Sequence, residues 1–317
     1  MISIDIFTQL GILILSLAAL IFFADKLINA SAKIAKAFGV SDAIIGLTLL
    51  AYGTSLPELA VTSISAFDKH PQLSISNVMG SNMINIALII GVASLIRPAL
   101  IKEKHFAERD GIIMVLSTLF LISLIYYFSE IGRIAGILLV FFSMIYTYYI
   151  LRQDKSENKI KKDSNISKPK EIGIVLICFL AVLISGKFSV DAAVKVAKEI
   201  GVTEWLIGAT IVAVGTSLPE LAVSITAAKK GLFGMSVGNI VGSNIYNILW
   251  IIGFAAALNP LFIEFGLIKV DSLFLIIVTL LFAYHLIKTK ISRLDGLIYL
   301  FIYIGYVAYL LMAQRIN

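Results

Sequence analysis

Long apolar stretches separated by short polar segments run along almost the whole chain. Most of these stretches have roughly the 20 apolar residues that a helix needs to cross a bilayer. The pattern predicts ten membrane-spanning helices, which lie near residues 7–26, 42–67, 73–96, 109–128, 132–151, 171–190, 204–228, 235–258, 264–287 and 295–313. The expected fold class is therefore all-α, a polytopic membrane protein.

The composition agrees with a membrane protein. Hydrophobic residues make up 59% of the 317 residues, charged residues make up 15%, and the mean hydropathy is +0.96. Soluble domains average about 45–50% apolar and about 25% charged residues. The net charge of +6 is concentrated in polar segments between the apolar stretches, which indicates orientation in the membrane rather than nucleic-acid binding. The one cysteine, Cys178, predicts neither a disulfide framework nor a metal cluster.

One polar segment, residues 152–170, separates the fifth predicted span from the sixth. It reads RQDKSENKIKKDSNISKPK, lacks apolar periodicity and carries seven Lys or Arg residues. The positive-inside rule therefore places it in the cytoplasm. With five spans on either side, both termini are expected to be extracellular. The predicted domains are a first five-helix repeat (1–151), this cytoplasmic linker (152–170) and a second five-helix repeat (171–317).

A nine-residue motif, GTSLPELAV, occurs at Gly53–Val61 and again at Gly215–Val223. At the same shift of 162 residues, 23 of the 46 positions from Gly46 to Gly91 are identical to their counterparts, which indicates an internal duplication. Because each half holds an odd number of predicted spans, the second copy enters the membrane from the opposite side. Inverted repeats of this kind meet near the bilayer midplane, where broken helices can build a shared site.

The repeated motif predicts a broken helix that carries a buried carboxylate. Pro57 and Pro219 lack an N–H and clash with the preceding turn, so each helix is expected to break there and to free backbone carbonyls. Glu58 and Glu220 follow directly, and an acidic residue at the centre of a membrane helix costs about 2.5–3.5 kcal/mol on insertion scales. No Lys, Arg or His lies in the middle of a predicted span. The expected partners of the two carboxylates are therefore protons or cations from solution.

Further oxygen-bearing side chains accompany the glutamates in both repeats. Ser81 and Asn85 are four residues apart and share one helix face, as do Ser243 and Asn247. The hydroxyl-bearing residues next to the predicted breaks are Thr54, Ser55, Thr216 and Ser217. A set of oxygens without thiolate or imidazole favours hard cations such as calcium, and sodium is similar in size. Two carboxylates neutralise one divalent ion.

The duplicated GTSLPE and GSN stretches resemble the alpha repeats of the calcium/cation antiporter superfamily, and specifically those of its prokaryotic sodium/calcium exchangers. The resemblance covers nearly the whole chain. It implies a ten-span fold in which the first and sixth spans slide as a gate over the other eight. It also implies exchange of sodium for calcium by alternating access, with calcium extrusion driven by sodium influx.

The resemblance also implies roles for individual residues. A central calcium site is expected from two carboxylates, two backbone carbonyls and two amides, which belong to Glu58, Glu220, Thr54, Thr216, Asn85 and Asn247. The flanking sodium sites are expected to be lined by Ala51, Ser55, Ser81, Ala213, Ser217 and Ser243. Some family members, including the potassium-dependent branch, carry Asp at the position of Asn247. Potassium co-transport is therefore not expected.

Other interpretations of the same residues compete with this one. The two glutamates could be a protonated pair that bridges helices, and Asn82 and Asn244 are themselves interpreted as such structural residues. A hydrolase using Ser55 or Ser217 would lack a histidine or lysine base, and a primary pump would lack a nucleotide-binding motif. A cation channel is less expected because broken inverted repeats favour alternating access. The closest alternative is a proton/calcium antiporter of the same superfamily.

The sequence thus predicts a multi-pass plasma-membrane antiporter and not an enzyme. Its ligands are expected to be calcium and sodium ions and its surroundings the lipid bilayer. No cofactor, nucleic acid or obligate protein partner is expected. Two carboxylates that balance one calcium ion cannot also balance three or more sodium ions, so the exchange is expected to be electrogenic.

Overall fold

The computed structural model describes residues 4–101, 104–157, 166–199 and 213–313, and almost all of them are helical. The α-helices are α1 (Ile4–Phe38), α2 (Asp42–Ile45), α3 (Ala51–Thr54), α4 (Leu56–Phe67), α5 (Pro71–Met83), α6 (Gly91–Ile96), α7 (Lys104–Phe128), α8 (Arg133–Glu157), α9 (Lys168–Glu199), α10 (Ala213–Thr216), α11 (Leu218–Lys229), α12 (Phe233–Tyr246), α13 (Gly253–Leu258), α14 (Phe265–Ile287) and α15 (Arg293–Ala313). The π-helical segments are π1 (Gly46–Leu50), π2 (Ile84–Ile90) and π3 (Asn247–Ile252). The strands are β1 (Ala99–Leu100), β2 (Glu130–Ile131), β3 (Leu261–Phe262) and β4 (Lys290–Ile291).

Eight helices of the described chain are long and apolar enough to cross a membrane. A further pair of helices, Asp42–Thr54 and Leu56–Phe67, is long and apolar enough only when taken together, and the two are bent by 45° relative to each other. The seventh predicted span, 204–228, begins at residues outside the described chain, and its described part is α10 and α11. The all-α, polytopic membrane fold is confirmed.

The first helix is longer than the first predicted span, 7–26. α1 continues to Phe38 and is followed by Gly39, whose φ of +66° is easily adopted by glycine. The N–H of Val40 then donates to the carbonyl of Ala35 at 3.0 Å. This bond is the hallmark of a Schellman motif, in which a left-handed glycine ends the helix.

The predicted linker is helical at both of its ends. α8 continues to Glu157 and α9 begins at Lys168, so polar residues at either side of the linker extend membrane helices. Residues 158–165 lie outside the described chain. The helical residues of the segment 152–170 are therefore 152–157 and 168–170, as far as the chain is described.

Contacts between the two halves repeat with the symmetry of the sequence. β1 pairs antiparallel with β4, and β2 pairs with β3, so each half gives one strand to each two-stranded sheet. Close helix contacts are repeated as well, since Gly136 faces the backbone of Gly253 and Gly296 faces the backbone of Gly91. A Cβ on Gly136 or Gly296 would collide with the opposing helix. Glycine is therefore needed for the close approach in both halves.

Two apolar cores lie side by side. The smaller core is shared by α1 and α9, which pack along each other and against residues of α11 and the broken helix of the first repeat. The larger core is formed by most of the remaining helices and surrounds π2 and π3. The pair α1 and α9 thus has a core of its own at the side of the main helix bundle.

Candidate ion-binding site

Both copies of the GTSLPE motif interrupt a helix at their serine. Ser55 lies between α3 and α4 with φ −83° and ψ 10°, and Ser217 lies between α10 and α11 with φ −89° and ψ 9°. Pro57 and Pro219 stand in the first turn of the following helix, where a missing N–H is tolerated. Pro57 cannot donate to the carbonyl of Gly53, four residues earlier. The predicted break is confirmed, and it lies at the serine that precedes the leucine and proline.

The two glutamates of the motif are bound by the serines of the opposite repeat. Ser217 Oγ donates to Glu58 Oε1 at 3.1 Å, and Ser55 Oγ donates to Glu220 Oε1 at 3.0 Å. Both glutamates are completely buried. The repeats therefore meet at their broken helices, and each copy completes the surroundings of the other's carboxylate.

The serines of the GSN stretches differ in their contacts. Ser81 Oγ donates to Glu58 Oε1 at 3.4 Å. Its counterpart, Ser243, is equally buried, but within the described chain its hydroxyl has no hydrogen-bond partner. The serines next to the breaks thus make duplicated contacts, whereas the serines of the GSN stretches do not.

Several buried oxygens at the site lack a hydrogen-bond partner among the described residues. They are Glu58 Oε2, Glu220 Oε2, Ser243 Oγ, Asn85 Oδ1 and Asn247 Oδ1. A buried polar atom without a partner costs about 1–3 kcal/mol, so a cluster of them calls for a ligand. Two of these oxygens belong to carboxylates and the others to amide and hydroxyl groups, which are the ligands that bind a hard cation.

The glutamates have no cationic partner in the part of the chain that the structure describes. Ion pairs are formed elsewhere, by Lys33 with Glu171, Arg109 with Asp110, Lys230 with Asp25, and His285 with Asp295. Among the same residues, no group of three or more His, Cys, Asp or Glu side chains forms a metal cluster. Any ion at this site would therefore be held by two carboxylates together with neutral oxygens.

The remaining predicted site residues lie around the breaks. Thr54 is completely buried, and its Oγ1 lies 3.0 Å from the Leu50 carbonyl oxygen and 3.3 Å from Asn239 Oδ1. The Thr54 side chain thus makes structural contacts, and the prediction for this residue concerns its backbone carbonyl, which was expected to bind calcium. Ala51 is buried at the start of α3, and Thr216 is half-buried at the end of α10. Ala213 begins α10, and its side chain lies outside the described part of the structure.

The sequence did not predict a hydroxyl cluster that supports the site from α8. The rings of Tyr52 and Tyr246 stack with centroids 3.9 Å apart, and both phenolic oxygens lie 3.0 Å from Thr147 Oγ1. Thr147 Oγ1 donates its one proton to the Ser143 carbonyl at 2.8 Å, so it can only accept from the two phenols. Thr147 has no counterpart in the aligned repeat stretch and belongs to no motif.

The π-helical segments were also not predicted. π2 begins one residue before Asn85, and π3 begins at Asn247 itself. A π-helical turn widens the helix and often occurs at functional sites. The two repeats therefore change helix type at the amides of the candidate site.

Taken together, the fold and the site define a polytopic helical membrane protein with a buried, oxygen-lined centre between two internal repeats. The family model described as sodium/calcium exchanger protein matches residues 8–152 and 170–312. The chain belongs to this family of membrane transporters within the calcium/cation antiporters, and it is not an enzyme.

Relatives of known name share most of the chain. Sodium/calcium exchanger MaX1 of Methanosarcina acetivorans is 30% identical, with 94% of this chain and 97% of that protein covered. Inner membrane protein YrbG of Escherichia coli is 30% identical, with 79% of this chain and 80% of that protein covered. A solved structure of the sodium-calcium exchanger NCX_Mj has a TM-score of 0.85 at 30% identity and covers 96% of this chain and 99% of its own. These likenesses support a calcium/cation antiporter that handles calcium and sodium ions.

Proposed function

We propose that the protein is a sodium-driven calcium antiporter of the plasma membrane and that calcium binds between Glu58 and Glu220. One observation carries the proposal: two completely buried glutamates are each bound by a serine of the opposite repeat, and each keeps one oxygen without a partner. A structural pair of protonated glutamates would gain most from satisfying both oxygens of each carboxyl group. Unpartnered carboxyl oxygens fit an ion better than such a pair.

The calcium ligands proposed are the carboxylates of Glu58 and Glu220, the carbonyls of Thr54 and Thr216, and the amide oxygens of Asn85 and Asn247. Calcium takes six to eight oxygens in flexible geometry, and this set supplies enough of them. The proposed flanking sodium sites are lined by Ala51, Ser55, Ser81, Ala213, Ser217 and Ser243. The neutral oxygens in both sets favour sodium over protons as the exchanged ion, since a proton needs only the carboxylates.

Charge balance sets the expected electrical behaviour. Two carboxylates neutralise one calcium ion but leave a surplus positive charge with three or more sodium ions. Exchange is therefore proposed to be electrogenic. Because Asn247 is neutral, the site has no third carboxylate for an additional potassium ion, and the antiporter is proposed to be potassium-independent.

Alternating access is proposed to involve the pair α1 and α9, which has its own apolar core. The Phe179 ring of α9 packs on Gly53, and Val190 of the same helix packs on Gly215. A crevice of about 360 Å³ between α1 and α9 reaches Gly215 and Leu218. One helix thus touches both breaks, and a shift of α9 would change how each of them is covered.

The proposed arrangement in the membrane has ten spans as two inverted five-helix repeats, with residues 152–170 in the cytoplasm and both termini outside. The seven Lys or Arg residues of that segment support this orientation. The repeats are proposed to comprise residues 1–151 and 171–317.

The proposal is tested by calcium-45 uptake into proteoliposomes that contain the purified protein. Three driving conditions are compared: an outward sodium gradient, an outward potassium gradient and a proton gradient alone. Uptake driven by sodium alone is the expected result. Uptake driven by protons without sodium would assign the site to a proton/calcium antiporter, and uptake without any gradient would indicate a channel.

The glutamates are tested with neutral, nearly isosteric variants. Glu58→Gln and Glu220→Gln should each abolish calcium uptake, because one carboxylate is too little charge to hold a dehydrated divalent ion. Glu171→Gln is the matched control, since Glu171 is also buried but pairs with Lys33 at 3.1 Å. Retained exchange in both motif variants would refute the proposal, provided that all three proteins elute as folded species.

A further inference from the structure

The two asparagines of the GSN stretches are equivalent in the sequence but differ in their contacts. Asn82 Oδ1 accepts a hydrogen bond from Asn247 Nδ2 at 2.9 Å, and Asn82 Nδ2 donates to the backbone carbonyl of Asn244 at 3.3 Å. Asn244 Nδ2 instead donates to the carbonyl of Ile240 in its own helix at 2.7 Å. Both residues are buried. Only Asn82 therefore links its carboxamide to a residue of the candidate site in the other repeat.

This contact decides which way the Asn247 carboxamide points. A carboxamide presents an NH₂ donor on one side and an oxygen acceptor on the other. The NH₂ of Asn247 is held by Asn82, so the oxygen must face away from it. That oxygen is buried and has no partner among the described residues. A cation would be attracted by the oxygen and repelled by the NH₂ group, so the hydrogen bond fixes the useful orientation.

For Asn85, the counterpart of Asn247 in the first repeat, the described chain provides no hydrogen bond that orients the carboxamide. Within the described chain, neither its Oδ1 nor its Nδ2 forms a hydrogen bond. The related contact, from Asn85 Nδ2 to Asn244 Oδ1, is not made, since both of these atoms are without a partner there. Among the described residues, a hydrogen bond thus fixes the orientation of the Asn247 carboxamide but not that of the Asn85 carboxamide.

We infer that Asn82 is a positioning residue that orients the Asn247 carboxamide with its oxygen toward the ion, which makes the two halves of the site chemically unequal. Asn247 is the fixed amide ligand and Asn85 the adaptable one. The inference rests on the proposed function, because it assigns to Asn82 a role in cation binding. Residues that hold a ligand in place commonly matter for metal affinity nearly as much as the ligand itself.

The inference is tested by calcium titration of the full-length purified protein in detergent, using isothermal titration calorimetry. Asn82→Leu removes the acceptor for Asn247 and is expected to weaken calcium binding about tenfold, as is usual when an outer-shell partner is lost. Asn244→Leu removes the same kind of side chain at the equivalent position and is expected to stay near the wild-type value. Equal losses in the two variants would overturn the inference.

A double-mutant cycle separates positioning from general damage. If Asn82 acts through Asn247, then Asn82→Leu should cause no further loss of calcium affinity in an Asn247→Ala background. A further loss of the full size in that background would overturn the inference. If the wild-type protein itself bound no calcium, the proposed function would fail and the inference with it, whereas the two outcomes above concern Asn82 alone.

A second pair of variants applies if the leucine variant does not fold. Asn82→Asp keeps an oxygen acceptor for Asn247 Nδ2, and Asn244→Asp places the same charge at the equivalent position. Asn82→Asp is expected to bind calcium at least as tightly as Asn244→Asp. Weaker binding by Asn82→Asp than by its control would contradict the proposed orientation of Asn247.

Discussion

The hydroxyl of Thr147 is expected to stabilise the helices that carry the candidate site. It accepts hydrogen bonds from Tyr52, next to Ala51, and from Tyr246, next to Asn247. Thr147→Val keeps the shape of the side chain but removes both acceptor lone pairs. The two phenols then lose their shared partner, while the rest of the packing is unchanged.

The size of the expected loss in stability follows from the burial of the two phenols. Tyr246 is completely buried and Tyr52 is half-buried, and an unsatisfied buried hydroxyl costs about 1–3 kcal/mol. With Tyr246 at the upper part of that range and Tyr52 at the lower part, Thr147→Val should lower the free energy of unfolding by about 2–4 kcal/mol.

Unfolding in mixed micelles, followed by circular dichroism and tryptophan fluorescence, measures this loss. Trp250 packs against the Tyr52 ring with centroids 4.8 Å apart, so its emission also reports on the cluster. Thr118→Val is the matched control, because buried Thr118 donates to the carbonyl of Met114 in the same i−4 pattern but bonds to no phenol among the described residues. Thr147→Ser keeps the hydroxyl and should be close to wild type. If Thr147→Val and Thr118→Val were equally destabilising, the assigned hydrogen-bond directions would be wrong.

Two further variants test packing and charge. Gly53→Ala should lose most calcium uptake, because its Cβ would collide with the ring of Phe179, whereas Gly80→Ala, whose Cβ meets nothing within 4 Å, should retain it in the same proteoliposome assay. Full uptake by Gly53→Ala would show that α9 adjusts without cost. Asp110→Asn breaks an ion pair whose aspartate is completely buried and should lower the free energy of unfolding by about 3 kcal/mol, while Asp25→Asn, in a pair that is 45% exposed on the aspartate side, should cost less than about 1 kcal/mol. Equal losses in unfolding experiments would contradict this assignment.

The parts of the site that could be predicted are those in which the residue type alone restricts the local structure or requires a partner. A proline in a membrane helix removes a hydrogen bond wherever it stands, so the breaks followed from Pro57 and Pro219. An intramembrane carboxylate needs a partner, and duplication placed Glu58 and Glu220 together. The serines next to the breaks, Ser55 and Ser217, were expected to line the site, and each lies within hydrogen-bond distance of a glutamate.

The parts that could not be predicted depend on long-range contacts or on small free-energy differences. Thr147 lies in a helix outside the aligned stretch, and nothing in its local sequence marks it as the acceptor for two tyrosines. Asn82 and Asn244 follow the same Gly-Ser pair, so this shared motif does not distinguish their hydrogen bonds. The end of α1 could have been predicted from the sequence, because a glycine such as Gly39 after a helical pattern is a common signal for the C-terminus of a helix.

The reciprocal hydrogen bonds between serine and glutamate also limit how early the site can form while the chain is being synthesised. They join residues 159 and 165 positions apart in the chain, so neither can form before the chain has been made as far as Ser217 and Glu220. At about 5–20 residues per second, Glu58 would wait about 10–30 s in the translocon or bilayer before Ser217 is available to it. The first repeat must therefore be stable enough in lipid to hold an unmatched glutamate for that long, and the proposed site can be completed only once the chain has been made as far as Asn247.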